Sequence, residues 1–220
     1  MRGNLFTDHA ITNVPDRFTL QNGKILKVTL GPDVLARQGS MISFEGWAEF
    51  EYEHPSFLQA MQSWRSGEAF PLMRVKGQGT CFFANFGADV LPIQLNNEGI
   101  IVRARNVLAI DESIQWGTQF IDSAMQGFQG IACLELGGVG NIALTTHGPP
   151  VVLRADEAPT YCDPDSVIAW SSSLRPIIKE RAIIESVSNR DAALGRGSGE
   201  EVQMQFRGSG FVVVQPSERG

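Results

Sequence analysis

Three cysteines are the side chains of this sequence best suited to nucleophilic or redox chemistry. Cys81, Cys133 and Cys162 are odd in number and widely spaced, which does not suggest a disulfide framework. Cys81 and Cys133 stand in or beside apolar stretches, where free cysteines are usually buried. A Cys–His pair can assemble only in the fold, so catalysis stays open here, but burial is the better supported interpretation.

The three histidines are the candidate metal ligands. His9, His54 and His147 lie far apart, and no carboxylate stands at ligand spacing from a pair of them. Histidine metal sites recruit several donors, and a cupin-like site needs a His-x-His with a nearby Glu. We therefore expect no metal ion and no other cofactor.

Two glycine-rich stretches and one carboxylate pair resemble chemical motifs only superficially. The Gly138-x-Gly140 stretch lacks the helix that a dinucleotide fingerprint needs, because the residues after it alternate as in a strand. Residues 195–199 are neither a P-loop nor a nucleophile elbow, and we interpret them as a flexible loop. The pair Asp111-Glu112 stands in a turn-like context that favours solvation. We predict that the protein is not an enzyme.

Seven basic residues alternate with apolar residues along the predicted strands, so they could line one face of a sheet. Such a face could bind RNA or another anion. The alternative is the ordinary polar face of a half-buried sheet, which the net charge of −6 favours. We therefore expect that nucleic acid is not a partner. The seven residues are Lys24, Lys27, Arg37, Arg74, Lys76, Arg103 and Arg105.

Composition excludes several other classes of protein. The chain has 220 residues, of which 43% are hydrophobic, and this is enough for one large β domain or two small ones. No apolar run reaches the roughly 18 residues of a membrane-spanning helix, and residues 1–8 lack the apolar core of a signal peptide. With unpaired cysteines, these features predict a cytoplasmic protein.

A repeated glycine pattern marks the elements that must position all these residues. Three times, a Gly-x-Gly pair stands between two stretches in which apolar residues alternate, as in half-buried strands. Two glycines around one residue suit a bulge or a tight corner, where φ is positive or a side chain would clash. The predicted structural glycine corners are Gly77, Gly79, Gly138, Gly140, Gly208 and Gly210.

A second pattern also occurs three times, at residues 40–44, 106–110 and 166–170. The order of the two patterns predicts repeat units at 55–116 and 118–175. A third unit would be split between 24–45 and 202–215, whose strands would pair in space. The alternative is a duplication with unrelated ends. We predict that residues 1–23 form a separate N-terminal segment and that residues 24–217 form a single β domain. The many short strands predict an all-β sandwich or barrel-like fold.

Two short stretches, 55–66 and 118–128, change to the period of a helix. If their apolar faces are exposed, they would contact a protein partner or a membrane surface. The alternative is that they cap the ends of the β core, because burying large apolar side chains is favourable. The candidate contact residues are Phe57, Leu58, Met61, Trp64, Phe120, Ile121, Met125 and Phe128.

Several motifs together resemble a known family. Residues 70–79 (FPLMRVKGQG), 148–154 (GPPVVLR), 195–200 (GRGSGE) and 208–217 (GSGFVVVQPS) are similar to bacterial relatives of the altered-inheritance-of-mitochondria protein. The resemblance covers about residues 20–217. It implies a double stranded β-helix-like sandwich, related in fold to the tryptophan-RNA-binding attenuation protein. It also implies a link to inner-membrane organisation, and it supplies no catalytic or ligand residues.

These observations favour a non-enzymatic scaffold or interaction protein, with a role in membrane-associated organisation and an unknown protein partner. The open edges of a sandwich need protection, so we expect a homo-oligomer, and the resemblance to a ring-forming fold favours a trimer. One alternative is a small-ligand-binding protein or enzyme with a pocket between sheets. The other is RNA or anion binding on a β face.

Overall fold

The computed structural model describes residues 4, 8–11, 13–53, 71–122, 130–180 and 202–216. Within these ranges the chain forms fifteen strands and one short 3₁₀ helix, Ala104–Asn106, so the predicted all-β sandwich class is confirmed. The strands are β1 Phe18–Asn22, β2 Ile25–Leu30, β3 Val34–Arg37, β4 Met41–Glu53, β5 Leu72–Phe83, β6 Asp89–Arg103, β7 Val107–Asp111, β8 Gln115–Ile121, β9 Ile131–Thr146, β10 Val151–Arg154, β11 Thr160–Cys162, β12 Val167–Ser171, β13 Ile177–Glu180, β14 Val202–Phe206 and β15 Phe211–Val214.

The strands form three consecutive repeats of one antiparallel unit, at 25–83, 89–146 and 151–214. In each unit the last strand carries the Gly-x-Gly pair and lies between the other two. Thus β5 lies between β2–β3 and β4, and β9 lies between β6 and β7–β8. In the third unit the glycines interrupt the last strand, which becomes β14 and β15 between β10–β11 and β12–β13.

The pairing predicted for the split third unit is wrong. Strand β2 pairs with β1 and β5, whereas β14 and β15 pair with β10 to β13, so the segments 24–45 and 202–215 share no pairing among the described residues. Each unit ends with its Gly-x-Gly strand. The sequence does not show where each unit begins and ends, because the two patterns alternate along the chain and either could come first in a unit.

The helix predicted at 118–128 is wrong at its start. Residues 118–121 belong to β8, which pairs with β9 from Gly137 to Ile131. The side chains of this segment have the two-residue period of a strand, with Trp116, Thr118 and Phe120 on one face. The segment adopts the strand conformation because it pairs with β9. The rest of that stretch, and the helix predicted at 55–66, lie outside the described residues.

The pairings and the cores together arrange the strands in four stacked layers. Layer 1 contains β1, β2, the 79–83 half of β5 and the start of β4. Layer 2 contains the end of β4, the first half of β5, β3, β7, the second half of β9 and the first half of β6. Layer 3 contains β8, the first half of β9, the end of β6, β12, β15 and β10. Layer 4 contains β11, β14 and β13.

A separate apolar core fills each space between adjacent layers. Leu26 and Cys81 of layer 1 pack with Val34 and Leu108 of layer 2. The second core joins layers 2 and 3, and the third joins layer 3 to Phe206 and its neighbours in layer 4. In the described part of the chain, layers 2 and 3 are therefore six strands wide and covered on both faces, while layers 1 and 4 end the stack as partial sheets.

Candidate functional site: two open sheet edges

Adjacent repeats are joined by two strand pairings, which we call the inner seams. The two inner seams have the same register. At the first seam β3 pairs with β7, placing Leu35 opposite Ile110. At the second seam β6 pairs with β12, placing Ile101 opposite Trp170. In both cases the end of the first strand of one unit pairs with the start of the second strand of the next unit. Each inner seam completes a six-stranded layer.

The second strand of each unit has a register shift at the same relative position. These shifts align the second strands of the three units. The pairing register shifts between Met41 and Ser43 in β4, between Val107 and Ala109 in β7, and between Val167 and Ala169 in β12. Ile42 is thereby equivalent to Leu108 and Ile168, and Phe44 to Ile110 and Trp170. These are the three copies of the second repeated pattern in the sequence, so they occupy corresponding places in the fold.

The equivalent side chains differ sharply in exposure. Leu108, Ile110, Ile168 and Trp170 are all 0% exposed, whereas Ile42 is 52% and Phe44 is 43% exposed. The strand β4 pairs only with β5 among the described residues, so its start lacks the neighbour that β7 and β12 have. The exposure therefore follows from the missing seam, since the side chains themselves are as apolar as their equivalents.

The complementary edge lies at the other end of the stack, on β11. By its pairing with β14, Tyr161 is equivalent to Leu35 and Ile101 at the two inner seams. Tyr161 is 49% exposed, against 3% for Leu35 and 0% for Ile101. Its hydroxyl accepts a hydrogen bond of 2.7 Å from Gln205 Nε2. We call Ile42–Glu45 of β4 and Thr160–Cys162 of β11 the two open edges.

Further apolar side chains extend the open edge of β4. Phe50 and Tyr52 are 37% and 46% exposed and share a face with Phe44, and Trp47 on the opposite face is 58% exposed. The rings of Phe44 and Phe50 meet edge to face, with centroids 5.7 Å apart, a favoured aromatic geometry. Exposed apolar side chains grouped along one strand in this way make the edge of β4 a candidate interaction site.

An arginine bridges each inner seam through hydrogen bonds to backbone carbonyl oxygens. Arg37, at the end of β3, donates hydrogen bonds to the carbonyl oxygens of Val107 at 3.1 Å and Ala104 at 3.2 Å. Arg103, at the end of β6, donates to the carbonyl oxygen of Pro164 at 2.6 Å. The equivalent residue after β11 is Asp163. This open edge therefore has an aspartate at the position that Arg37 and Arg103 occupy at the inner seams.

The predicted glycine corners lie where the third strand of each unit passes from one layer to the next. All six have φ between 110° and 159°, a region that side-chain-bearing residues rarely adopt. A Cβ on Gly77 would overlap the carbonyl oxygen of Trp47. The corners therefore let β4 approach β5 closely. The six are Gly77, Gly79, Gly138, Gly140, Gly208 and Gly210.

Within the described ranges, the candidate nucleophiles and metal ligands are not grouped into a metal centre. Burial raises the pKa of Cys81 and of Cys162 to about 11, so both thiols are protonated at neutral pH. His9 and His147 are exposed, and His54 is outside the described ranges. Among the described residues no three His, Cys, Asp or Glu side chains are grouped to hold a metal ion.

The basic residues do not form one open face, because most are engaged by carboxylates or carbonyls. Lys76 pairs with Glu51 at 2.7 Å, and its pKa is raised, chiefly by that hydrogen bond. The other ion pairs and their N···O distances are Lys24–Asp89 at 3.1 Å, Arg74–Asp33 at 3.5 Å, Arg103–Asp165 at 3.1 Å and Arg105–Asp165 at 3.9 Å.

Asp111 is not the solvated carboxylate that its sequence context indicates. It is 6% exposed and pairs with Arg17 at 3.0 Å. It also accepts hydrogen bonds from the backbone and side-chain nitrogens of Asn141, at 3.2 and 3.0 Å. Asp111 ends the strand β7 inside the first inner seam, and its role is to satisfy this buried polar junction.

The eight predicted contact residues remain largely outside the described ranges. Phe57, Leu58, Met61, Trp64, Met125 and Phe128 fall in the gaps, whereas Phe120 and Ile121 are half-buried in β8. No helix in the described part of the chain is long and apolar enough to cross a membrane.

The fold and the open edges define an all-β protein of three tandem repeats with stacked layers. A family model described as mitochondrial biogenesis AIM24 matches residues 18–217, and the chain belongs to this family. No curated protein matches the chain. The crystal structure of protein SPYM3_0169 from Streptococcus pyogenes is similar in fold, with a TM-score of 0.67 and 19% identity over 91% of this chain and 92% of that one.

The sequence predicts one strand of the site, at 40–44, but neither β11 nor the site itself. The pattern at 40–44 is equivalent to 106–110 and 166–170, and its residue types do not separate the exposed copy from the two buried ones. One signal was available: position 163 is an aspartate where the other repeats have Arg37 and Arg103.

Proposed function

We propose that this protein is a non-enzymatic scaffold that acts as a homo-oligomer and holds other proteins in an assembly. The observation that carries the proposal is the exposure of Ile42 and Phe44, at positions that are fully buried in the other two repeats. Burying a side chain of this size contributes about 1.5–3 kcal/mol. Edges with several such side chains are usually covered by a partner in solution.

Three further features support a scaffold over an enzyme. The spaces between the layers are filled by apolar cores, and the buried thiols are protonated at neutral pH because burial raises their pKa values. Asp111, a buried carboxylate, is engaged by Arg17 and Asn141 in a structural role. The family description names mitochondrial biogenesis, and we propose that the scaffold serves membrane-associated organisation through protein contacts.

The oligomer that we propose is a trimer in the cytoplasm. Its cytoplasmic placement draws on the three cysteines, which are all buried and form no disulfide with one another. Its trimeric state draws on the resemblance to a ring-forming fold, together with the closed cyclic symmetry that is common among soluble homo-oligomers. A trimer of this chain would contain nine repeats.

Multi-angle light scattering at micromolar concentration tests the proposal. We expect three times the 24.0 kDa mass of one chain. Twice that mass would keep the homo-oligomer and remove the trimer, and the mass of one chain would contradict the oligomeric scaffold. Flotation with liposomes containing anionic lipid tests direct membrane contact, and binding that persists at high salt would assign the protein a lipid surface in place of a protein partner.

A further inference from the structure

The pairing order of the twelve-stranded sheet begins with β1 and ends with β10. Strand β1 precedes the first repeat and pairs antiparallel with β2, along the side of β2 that faces away from β5. We call this side of the first strand of each repeat its outer edge. In the third repeat the strand that corresponds to β2 is β10, which pairs with β15 on its other side. No described strand pairs with the outer edge of β10.

The register against the Gly-x-Gly strands identifies the equivalent residues of these first strands. Leu26 faces Phe83 in the first repeat, and Val151 faces Val214 in the third, at the same distance from the glycine pair. Val151 is therefore equivalent to Leu26. By the same count, the equivalents of Lys27 are Pro92 in the second repeat and Val152 in the third, and the equivalent of Thr29 in the third is Arg154.

The exposure of these equivalent positions depends on the presence of the added strand. Leu26 and Lys27, which lie beside β1, are 0% and 6% exposed, whereas Val151 and Val152 are 55% and 61% exposed. Two adjacent valines point to opposite faces of a strand, so β10 is open to solvent on both faces. The exposed pair thus lies where the strand that covers the first repeat has no counterpart among the described residues.

The backbone of β10 presents hydrogen-bonding groups to its outer edge. In antiparallel strands the N–H and C=O groups of successive residues point to alternate sides. In the first repeat the N–H of Thr29 donates to the carbonyl oxygen of Arg17, at the start of β1, at 2.9 Å. In the third repeat the N–H of Ala155 donates at 2.9 Å towards β15, on the inner side. The N–H groups of Val152 and Arg154 therefore point outward.

The second repeat closes its outer edge in another way. The N–H of Val90, an outward donor, donates to the carbonyl oxygen of Gly23 at 2.8 Å. The next outward position is Pro92, which has no N–H and so cannot donate to an added strand. Proline on an edge strand is a usual protection against unwanted pairing. The third repeat has Val152 in this place and keeps the donor that Pro92 lacks.

We propose that β10 is a docking strand, to which an extended segment of a partner protein adds antiparallel, in the way that β1 adds to β2. This inference rests on the proposed scaffold function and deepens it, because it assigns a site and a class of partner. Strand addition to a sheet edge is a general mode of peptide recognition, in which backbone hydrogen bonds supply affinity and alternate side chains supply specificity. Since β1 is already paired with β2, a partner protein supplies the segment.

The pairing of β1 with β2 gives the register of the docked segment. Thr19 faces Lys27, and Phe18 faces Val28. A partner residue at the Thr19 position would therefore exchange backbone hydrogen bonds with Val152. The carbonyl group two positions before it would accept from the N–H of Arg154, as that of Arg17 accepts from Thr29.

The side chains of β1 define the chemistry of the partner. Phe18 is buried in the core between layers 1 and 2, and Leu20 packs against that core. Leu153 of β10 packs in the same way against the core between layers 3 and 4. Large apolar residues at every second position of the docked segment would extend this core and cover Val151. The partner is therefore an extended segment with alternating apolar residues.

A peptide with the sequence of residues 16–22, which contains β1, is a suitable probe because it carries this alternation. The peptide is acetylated, amidated and labelled with a fluorophore, and fluorescence anisotropy follows its binding to the full-length protein. We expect saturable binding. A peptide of the same composition in which Phe18 and Leu20 are moved next to each other should bind at least about tenfold more weakly, because one of the two apolar groups then faces away from the core.

Val152→Pro locates the bound peptide on β10. Proline removes the outward N–H, and Pro92 shows that the repeat accommodates proline at this position. We expect binding to weaken at least about tenfold, because one ladder hydrogen bond is lost and a peptide carbonyl oxygen is left without its donor. Val152→Ala, which keeps the N–H, is the matched control and should bind within about threefold of the wild type. Circular dichroism checks that both variants are folded.

N-methylation of the peptide tests the same hydrogen bond with the protein unchanged. A methyl group on the backbone nitrogen of Thr19 should weaken binding as Val152→Pro does. A methyl group on the nitrogen of Leu20 is the control, because that N–H points away from β10. Equal losses for the two peptides would contradict the register.

The remaining outcomes separate the docking strand from the homo-oligomer. Peptide binding that Val152→Pro leaves unchanged would place the peptide elsewhere, as in exchange for β1 on β2, and would overturn the docking strand. An oligomeric wild type that does not bind the peptide would also overturn it and leave the oligomeric scaffold intact. A monomeric wild type whose peptide binding depends on Val152 would contradict the homo-oligomer and support the docking strand.

Discussion

Replacing Gly77 by alanine tests whether the glycine corners hold the layers together. Gly77 has φ of 146°, and backbone strain in such a region costs about 1–3 kcal/mol for a residue with a side chain. A Cβ would also lie 2.9 Å from the Cα of Ala48 and closer still to the carbonyl oxygen of Trp47. Because these atoms belong to the paired backbone, relief requires β4 to move, which adds about 1–3 kcal/mol. We expect a total loss of about 2–6 kcal/mol in the free energy of unfolding.

Gly39→Ala is the matched control for this prediction. Gly39 also has a positive φ, of 79°, but nothing lies within 4 Å of the Cβ position. Its cost should therefore be the strain alone, about 1–2 kcal/mol. Urea unfolding at one protein concentration measures both variants, with the slope against denaturant checked for constancy. Equal losses for the two variants would refute the close-approach explanation for the corner.

Four other outcomes follow from burial and hydrogen bonding. Trp170→Ala should lower the free energy of unfolding by about 3–5 kcal/mol, because the side chain is 0% exposed and packs on Phe206; Trp170→Phe should cost much less in the same urea assay. Arg37→Ala removes the guanidinium that donates to the carbonyl oxygens of Val107 and Ala104 and should cost about 1–3 kcal/mol by thermal unfolding; an unchanged free energy of unfolding would show that Arg37 does not stabilise the first inner seam. The pKa values of Cys81 and Cys162, raised by burial from 9.0 to about 11, predict slow labelling by a thiol reagent in the folded protein at pH 8 and rapid labelling in urea. The same pKa shifts predict stability that is present below pH 9 and is lost as pH rises towards 11; a double Cys→Ala variant should lose less over that range.

The class of fold could be predicted from the sequence because its signals are local. Alternation of apolar residues along β2, β5 and β9 needs only the two-residue period of a strand. The Gly-x-Gly pairs likewise report a backbone conformation that glycine alone adopts readily, and their φ values are those of such corners. The recurrence of both patterns three times was visible without any structure.

The limits of the repeats could not be predicted, because they depend on which strands meet. Strand β5 pairs with β2, β3 and β4, which all precede it, so the first unit ends at its glycine strand. Residues 118–121 illustrate the same point. Phe120 and Ile121 fit one face of a helix, but β9 pairs with this segment, and the hydrogen bonds of the sheet decide its conformation.

The candidate site was decided entirely by the tertiary structure. Phe44 and Trp170 stand in equivalent strands with similar neighbours, yet Trp170 is fully buried and Phe44 is 43% exposed. Burial depends on a strand from the adjacent repeat: β6 covers the edge beside Trp170, and no described strand takes that place beside Phe44. The sequence determined that these segments are apolar strands, because alternation is a local property. Only the tertiary structure determined which edge stays open, because that depends on how many repeats the stack contains and where it ends.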